Sequence, residues 1–111
     1  MALNIQGKTS LITGGGRGIC LAFAIKLLQG GCNVVIADLA LAPEAEEVIK
    51  RQEDGTARAI FQKTDVLDWA QLQAAFDNAI ATFGGLDIVC PGAGVFEPVH
   101  MSMYHPLPSI D

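Results

Sequence analysis

Residues 9–18 read TSLITGGGRG, and the reading of that stretch decides the fold. The first half, 9–13, is a short apolar run, and it breaks into glycines at Gly14, Gly15, Gly16 and Gly18. A buried strand running into a tight turn is the expectation. Residues 19–29 are then apolar nearly all round and close on Gly30-Gly31, which predicts a helix with a glycine C-cap. After it, residues 33–37 (NVVIA) are rich in β-branched side chains without alternation and end at Asp38. That pattern belongs to a parallel strand covered on both faces.

The same alternation continues outward. Pro43 suits a first helical position, with Glu44, Glu46 and Glu47 near the positive end of the helix dipole and Ala45, Val48 and Ile49 on one face. Residues 58–64 (RAIFQKT) supply a third strand leading into Asp65-Val66. Asp68 and Gln71 have the spacing of a capping-box variant, and Leu72, Ala75, Phe76, Ala79, Ile80 and Phe83 recur with helical period before Gly84-Gly85. Residues 86–90 (LDIVC) form a fourth short strand that ends in Pro91-Gly92-Ala93-Gly94. Strands alternating with helices over short connections imply a parallel sheet with right-handed crossovers. The prediction is an α/β fold: a Rossmann-type, doubly wound parallel sheet of about four strands and three helices, incomplete, over residues 1–97. Residues 98–111, with Pro98, Pro106 and Pro108 and no helical or strand period, are expected to be an irregular or disordered tail.

Composition narrows the function. A chain of 111 residues has room for one domain. Half of it is apolar, 17% is charged, and the mean hydropathy of +0.36 is high for a small chain that must cover itself with polar groups. The net charge of −5 and the absence of any Lys/Arg cluster argue against nucleic acid as a partner. No apolar run is long enough to span a membrane and the start has no signal-peptide layout, so the cytosol is the expected, cytoplasmic, location. Three widely spaced cysteines, Cys20, Cys32 and Cys90, suit neither a disulfide framework nor paired zinc ligands, and are expected to be reduced structural thiols. His100 and His105 lie among prolines without a clear third ligand nearby, so no metal site is expected.

Glycines alone often serve only to let a chain reverse. Here they leave a strand and open a helix, so backbone N–H groups and the helix dipole face a site for a pyrophosphate, and an acidic residue closes the next strand. Asp38 is the candidate selector between cofactors. A carboxylate there accepts hydrogen bonds from an adenosine ribose, whereas a 2′-phosphate would meet like charge at roughly 4 Å, costing on the order of several kcal/mol. NAD is therefore favoured over NADP. Arg17 argues the other way, since a guanidinium in the glycine turn can pair with a 2′-phosphate. Asp65 is a candidate acceptor for the adenine amino group and Val66 a packing surface for the ring, with a plain loop acid as the alternative for Asp65 and a turn or helix-cap residue as the alternative for Asp38.

Taken together, Thr13-Gly14-Gly15-Gly16-Arg17-Gly18-Ile19-Cys20, Asp38, Asp65-Val66 and Gly92-Ala93-Gly94 resemble the short-chain dehydrogenase/reductase family over about residues 5–97. Within the family the likeness is to NAD-dependent members of the 15-hydroxyprostaglandin dehydrogenase type. The resemblance implies that Gly14, Gly16, Arg17, Gly18 and Ile19 surround the pyrophosphate, that Asp38 and Leu39 hold the adenosine ribose, that Asp65 and Val66 hold the adenine, and that Gly92 and Ala93 meet the nicotinamide-side ribose. Two features depart from the family pattern. Cys20 replaces the usual third glycine, which is expected to crowd the approach of helix to strand. Pro91-Gly92 replaces an Asn-Asn pair whose amides would tie the fourth strand to its neighbours, and Pro91 removes a backbone donor.

The family's catalytic Ser and Tyr-x-x-x-Lys lie beyond the fourth strand and have no counterpart in these residues. The last basic residue is Lys63, and the position four after Tyr104 is Pro108. With the usual strand order the fourth strand would be an open edge, and the helix Trp69–Phe83 would cover its sheet face alone, which favours self-association. Two functions follow. One is an oxidoreductase that transfers hydride between NAD and an alcohol or ketone, of which this chain is a truncated, by itself inactive, cofactor-binding half, with the tail from about Val99 foreign to the family. The other is a non-catalytic NAD-binding or regulatory module that pairs with a full-length relative.

Overall fold

The computed structural model describes residues 4–51 and 57–92. Its elements run β1 (Thr9–Thr13), α1 (Gly18–Gln29), β2 (Asn33–Asp38), α2 (Pro43–Lys50), β3 (Ala59–Lys63), α3 (Trp69–Phe83) and β4 (Ile88–Pro91). The four strands form one parallel sheet in the order β3-β2-β1-β4. This is the doubly wound α/β architecture expected from the alternation of apolar runs and glycine turns. The tail at 98–111, together with Tyr104, His100, His105 and Ala93, lies outside the described residues.

The strand order explains the apolar runs. β1 is buried throughout and β2 through its four central residues, because each is flanked by two strands and covered on both faces. On one face Ile12, Val34 and Ile36 pack with Ala24 and Leu27 of α1 and with Cys32, and Ile88 and Cys90 of β4 lean on the same cluster. On the other face Leu11, Val35 and Ala37 meet Ala75 and Ala79 of α3. β4 is an edge, and Val89, on the α3 face, is 46% exposed. The start of β4 is tied to β1 from Asp87, whose carboxylate accepts the Thr9 N–H at 3.0 Å and whose own N–H donates to the Thr9 carbonyl at 2.8 Å. Pro91, in register with Thr13, sits where an edge strand tolerates a missing donor.

α1 ends on Gly30-Gly31 as expected, in a Schellman cap with Gly30 at the C-cap and Gly31 in the left-handed conformation (φ +89°). The Cys32 and Gly31 N–H groups donate to the carbonyls of Leu27 and Leu28, satisfying the last turn. At α3, Asp68 does cap the helix, its carboxylate accepting from Ala70 N–H at 3.0 Å and Gln71 N–H at 3.3 Å. The reciprocal half of the box is missing, because the Gln71 side-chain oxygen accepts from Asp65 N–H at 2.9 Å instead. Finally, β3 and β4 span 59–63 and 88–91 rather than the longer 58–64 and the earlier 86–90, although Arg58, Thr64 and Asp87 still bond to the neighbouring strands.

Candidate functional site

Parallel strands all point their C-terminal ends the same way, and the turns that leave them converge. At that end of the sheet a cleft of about 410 Å³ is lined by Gly14, Arg17, Asp38, Leu39, Thr64, Asp65, Val66, Leu67 and Gly92, with Ala37 at its base. Its wall is the glycine turn. Gly14 takes φ +73° and donates its N–H to the Ala37 carbonyl at 2.8 Å, which anchors the start of the turn to β2. Gly16 donates its N–H to Asp38 Oδ2 at 2.9 Å, and its carbonyl accepts from Ala42 N–H at 2.9 Å. A Cβ at Gly16 would overlap the Ala40 carbonyl oxygen and stand 2.8 Å from Asp38 Oδ2, so only glycine lets the turn lie against the end of β2. Gly18, at φ +65°, turns the chain into α1.

Electrostatically the cleft has two poles. The first N–H groups of any α-helix lack an intrahelical acceptor and carry the positive end of the dipole. At α1 the N-cap residue, Arg17, makes no side-chain cap and the first turn holds no acidic residue, so this end stays available to an anion. The opposite pole is Asp38, fixed by two backbone donors: Gly16 N–H on Oδ2 and Leu39 N–H on Oδ1 at 2.7 Å. Each carboxylate oxygen has about two lone pairs, so both retain capacity for a ligand hydroxyl. Among the described residues no ion pair joins Arg17 to Asp38. Farther along, Thr64 N–H donates to the Asp38 carbonyl at 2.8 Å, and Asp65 Oδ1 accepts the Leu67 N–H at 2.9 Å, closing a small loop between β3 and α3.

Of the residues singled out in the sequence, the fold brings Gly14, Arg17, Asp38, Leu39, Asp65, Val66 and Gly92 into this one cleft, with Gly16 bonded to Asp38 beside it. Gly18 and Ile19 begin α1, where the Ile19 side chain is 87% exposed and does not line the cleft. Thr64 and Leu67 were not anticipated. Leu67 is 78% exposed, and an isolated leucine in a loop carries no signal in sequence. The expected crowding at Cys20 has a local resolution: its sulfur lies where a side chain on residue 92 would be, and residue 92 is glycine. Burial first, then Cys90 and Asp38, pushes the Cys20 thiol above its ordinary value. Among the described residues all three cysteines are free, and no group of His, Cys, Asp and Glu is arranged to hold a metal.

With a glycine turn between a central strand and a helix on one side of this cleft, residues 8–107 match the family model for short chain dehydrogenases. The chain belongs to the short-chain dehydrogenase/reductase family. The short chain dehydrogenase/reductase AacuN of Aspergillus aculeatus is 38% identical over 97 residues, covering 87% of this chain and 37% of the relative. Versicolorin reductase 1 of Dothistroma septosporum is likewise 38% identical over 97 residues, at 87% and 37% coverage. Among solved structures, LigO in its apo form from Sphingobium sp. strain SYK-6 superposes with a TM-score of 0.75 at 32% identity, covering 86% of this chain and 36% of that one. A short-chain dehydrogenase/reductase from Serratia marcescens gives 0.74 at 36% identity, with 85% and 38% coverage. The chain thus spans little more than a third of the length of the relatives it matches. Members of the family bind a nicotinamide dinucleotide. The residues present fit such a group, because the turn at Gly16 has no room for a side chain and leaves the α1 N-terminus and the Asp38 carboxylate facing one cleft.

Proposed function

We propose that this short-chain dehydrogenase/reductase chain binds NAD in preference to NADP, as the cofactor half of an oxidoreductase that moves hydride between NAD and an alcohol or ketone. The observation that carries the reading is the Asp38 carboxylate, held on both oxygens by backbone N–H groups and lining the cleft. Fixed in that way it cannot swing aside for a 2′-phosphate, and like charges at roughly 4 Å cost on the order of several kcal/mol at intermediate effective dielectric. Arg17 also lines the cleft, but as an exposed residue without a carboxylate partner among the described residues, and is read as a solvated charge.

In this reading Arg17, Gly18 and Ile19 present backbone donors to the pyrophosphate, while Gly14 and Gly16, whose N–H groups are bonded to Ala37 and Asp38, hold the turn close enough for it to approach. Asp38 accepts from the adenosine ribose beside Leu39, and Asp65 and Val66 receive the adenine with Leu67 across the cleft. Gly92, and Ala93 after it, meet the nicotinamide-side ribose. When bound, the nicotinamide supplies the hydride acceptor or donor. Proton exchange with the substrate oxygen requires an acid-base pair such as the family's Tyr and Lys, which these 111 residues do not contain. A polypeptide of these residues therefore binds cofactor without turnover. The narrower likeness to 15-hydroxyprostaglandin dehydrogenases, a cytosolic location and self-association along the β4 edge, where Val89 is exposed, belong to the same proposal.

The test is a titration of the chain with NADH and with NADPH, followed by cofactor fluorescence or heat, beside Asp38→Ala. NADH is expected to bind at least about tenfold more tightly than NADPH, and the variant to lose about that factor for NADH while changing little for NADPH. Tighter NADPH binding by the parent chain would overturn the assignment.

A further inference from the structure

Cys20 stands in the first turn of α1, and Gly92 follows directly on β4; they meet because β1, which feeds α1, pairs in parallel with β4 up to Thr13 and Pro91. A Cβ on Gly92 would overlap Cys20 Sγ, stand 3.0 Å from the Thr13 carbonyl oxygen and lie 3.6 Å from Cys20 Cβ. Gly92 lines the cleft, whereas Cys20 packs instead against the core cluster of Ile12, Ala24 and Leu27. Cys20 is half-buried, with the core cluster on one side of its side chain and Gly92 on another, so a methyl at 92 sets the sulfur and the strand end against each other. A side chain at 92 would have to displace the sulfur and, because the Thr13 carbonyl oxygen crowds it from the backbone side, press the end of β4 away from β1 and α1 and so alter the cleft.

We infer that Cys20 and Gly92 are a size-complementary pair whose fit sets the spacing between the first turn of α1 and the end of β4, and so the width of the cleft on its β4 side. Cys20 is thereby a positioning residue: it acts on the cleft through Gly92 rather than by touching what binds there. The consequence for the cofactor rests on the NAD reading above, while the fit itself does not.

The test is a double-mutant cycle in the full chain: Gly92→Ala, Cys20→Gly, the two combined, and Cys20→Ser with Gly92→Ala as a control of nearly unchanged size. Melting temperature without cofactor reads the fit, and the NADH dissociation constant reads the cleft. Gly92→Ala is expected to lower the melting temperature by about 4–8 °C and to weaken NADH about tenfold. Cys20→Gly should restore both in the combined variant, leaving NADH affinity within about twofold of the parent, and Cys20→Ser should restore neither. If Gly92→Ala shows no folding transition, its return with Cys20→Gly supports the pair and its continued absence contradicts it. Additive melting shifts, or rescue by Cys20→Ser, would overturn the pairing. Coupled melting shifts with unchanged NADH affinity would overturn its role in the cleft. A parent chain that binds no NADH would instead defeat the NAD reading, with the melting cycle still deciding the fit.

Discussion

Two hollows of comparable size open at opposite ends of the same sheet, and they are unequally equipped. At the N-terminal ends of the strands a depression of about 530 Å³ is lined by Gln6, Gly7, Leu28, Gln29, Gly31, Asn33 and Ala57, none of them charged. Its backbone is already occupied: Gly7 N–H donates to the Gly31 carbonyl at 2.9 Å, Asn33 N–H to the Lys8 carbonyl at 2.8 Å, and Asn33 Oδ1 accepts Arg58 N–H at 3.0 Å. It also faces the negative, C-terminal end of α1. The cleft of about 410 Å³ at the other end faces the positive end of the same helix and carries Asp38, Asp65 and Arg17. Volume does not locate the site; the direction of strands and helix does, because it decides which backbone groups remain unbonded.

The strongest way to break the contrast is to place a methyl on each end. Gly16→Ala would drive a Cβ into the Ala40 carbonyl and the Asp38 carboxylate, and is expected to weaken NADH binding by about tenfold to a hundredfold in a fluorescence titration. Gly31→Ala, at φ +89° with its Cβ 3.0 Å from the flexible Gln6 Cγ, should cost about 1–2 kcal/mol in urea unfolding, yet leave NADH affinity within about twofold. Equal effects on NADH would show that the two ends are not functionally distinct.

Smaller changes sharpen the picture. Asp68→Ala removes the acceptor for Ala70 and Gln71 N–H and should cost about 1 kcal/mol of stability by denaturant titration, with a weaker effect on NADH, since Gln71 also steadies the Asp65 backbone. The smallest effect is in alkali. Burial is the main cause raising both the Cys20 and the Cys32 thiols above their ordinary value of 9.0. The unfolded chain therefore ionises first, so the stabilisation is complete below pH 9.0 and is lost as pH rises through the raised folded values. Unfolding midpoints measured across that range should fall, and fall less steeply in Cys20→Ser.

Most of the fold was legible because its signals are local. β-branched runs without alternation at 9–13 and 33–37 can be satisfied only by central strands, and the period from Leu72 to Phe83 only by a helix with one buried stripe. Asp38 and the glycine turn were legible for the same reason, since a strand end and a helix start bracket them. What escaped depends on contacts between distant segments. Cys20 and Pro91-Gly92 each read as a departure from the family pattern, but that one accommodates the other appears only when β1 and β4 pair. Leu67 and Thr64 enter the cleft because Asp65 folds its loop back on the Leu67 N–H and the Thr64 N–H, just past β3, donates to the Asp38 carbonyl, neither of which has a signature in composition or period.

The central claim, a dinucleotide site at the C-terminal ends of the strands, is tested most directly by following backbone amide resonances of the isotopically labelled chain as NADH is added. The resonances of Gly14, Gly16, Leu39, Asp65, Val66 and Gly92 are expected to shift along a common saturation curve while those of Gly7, Gly31 and Asn33 stay in place. Shifts confined to Gly7, Gly31 and Asn33, or none at either end of a folded chain, would contradict it.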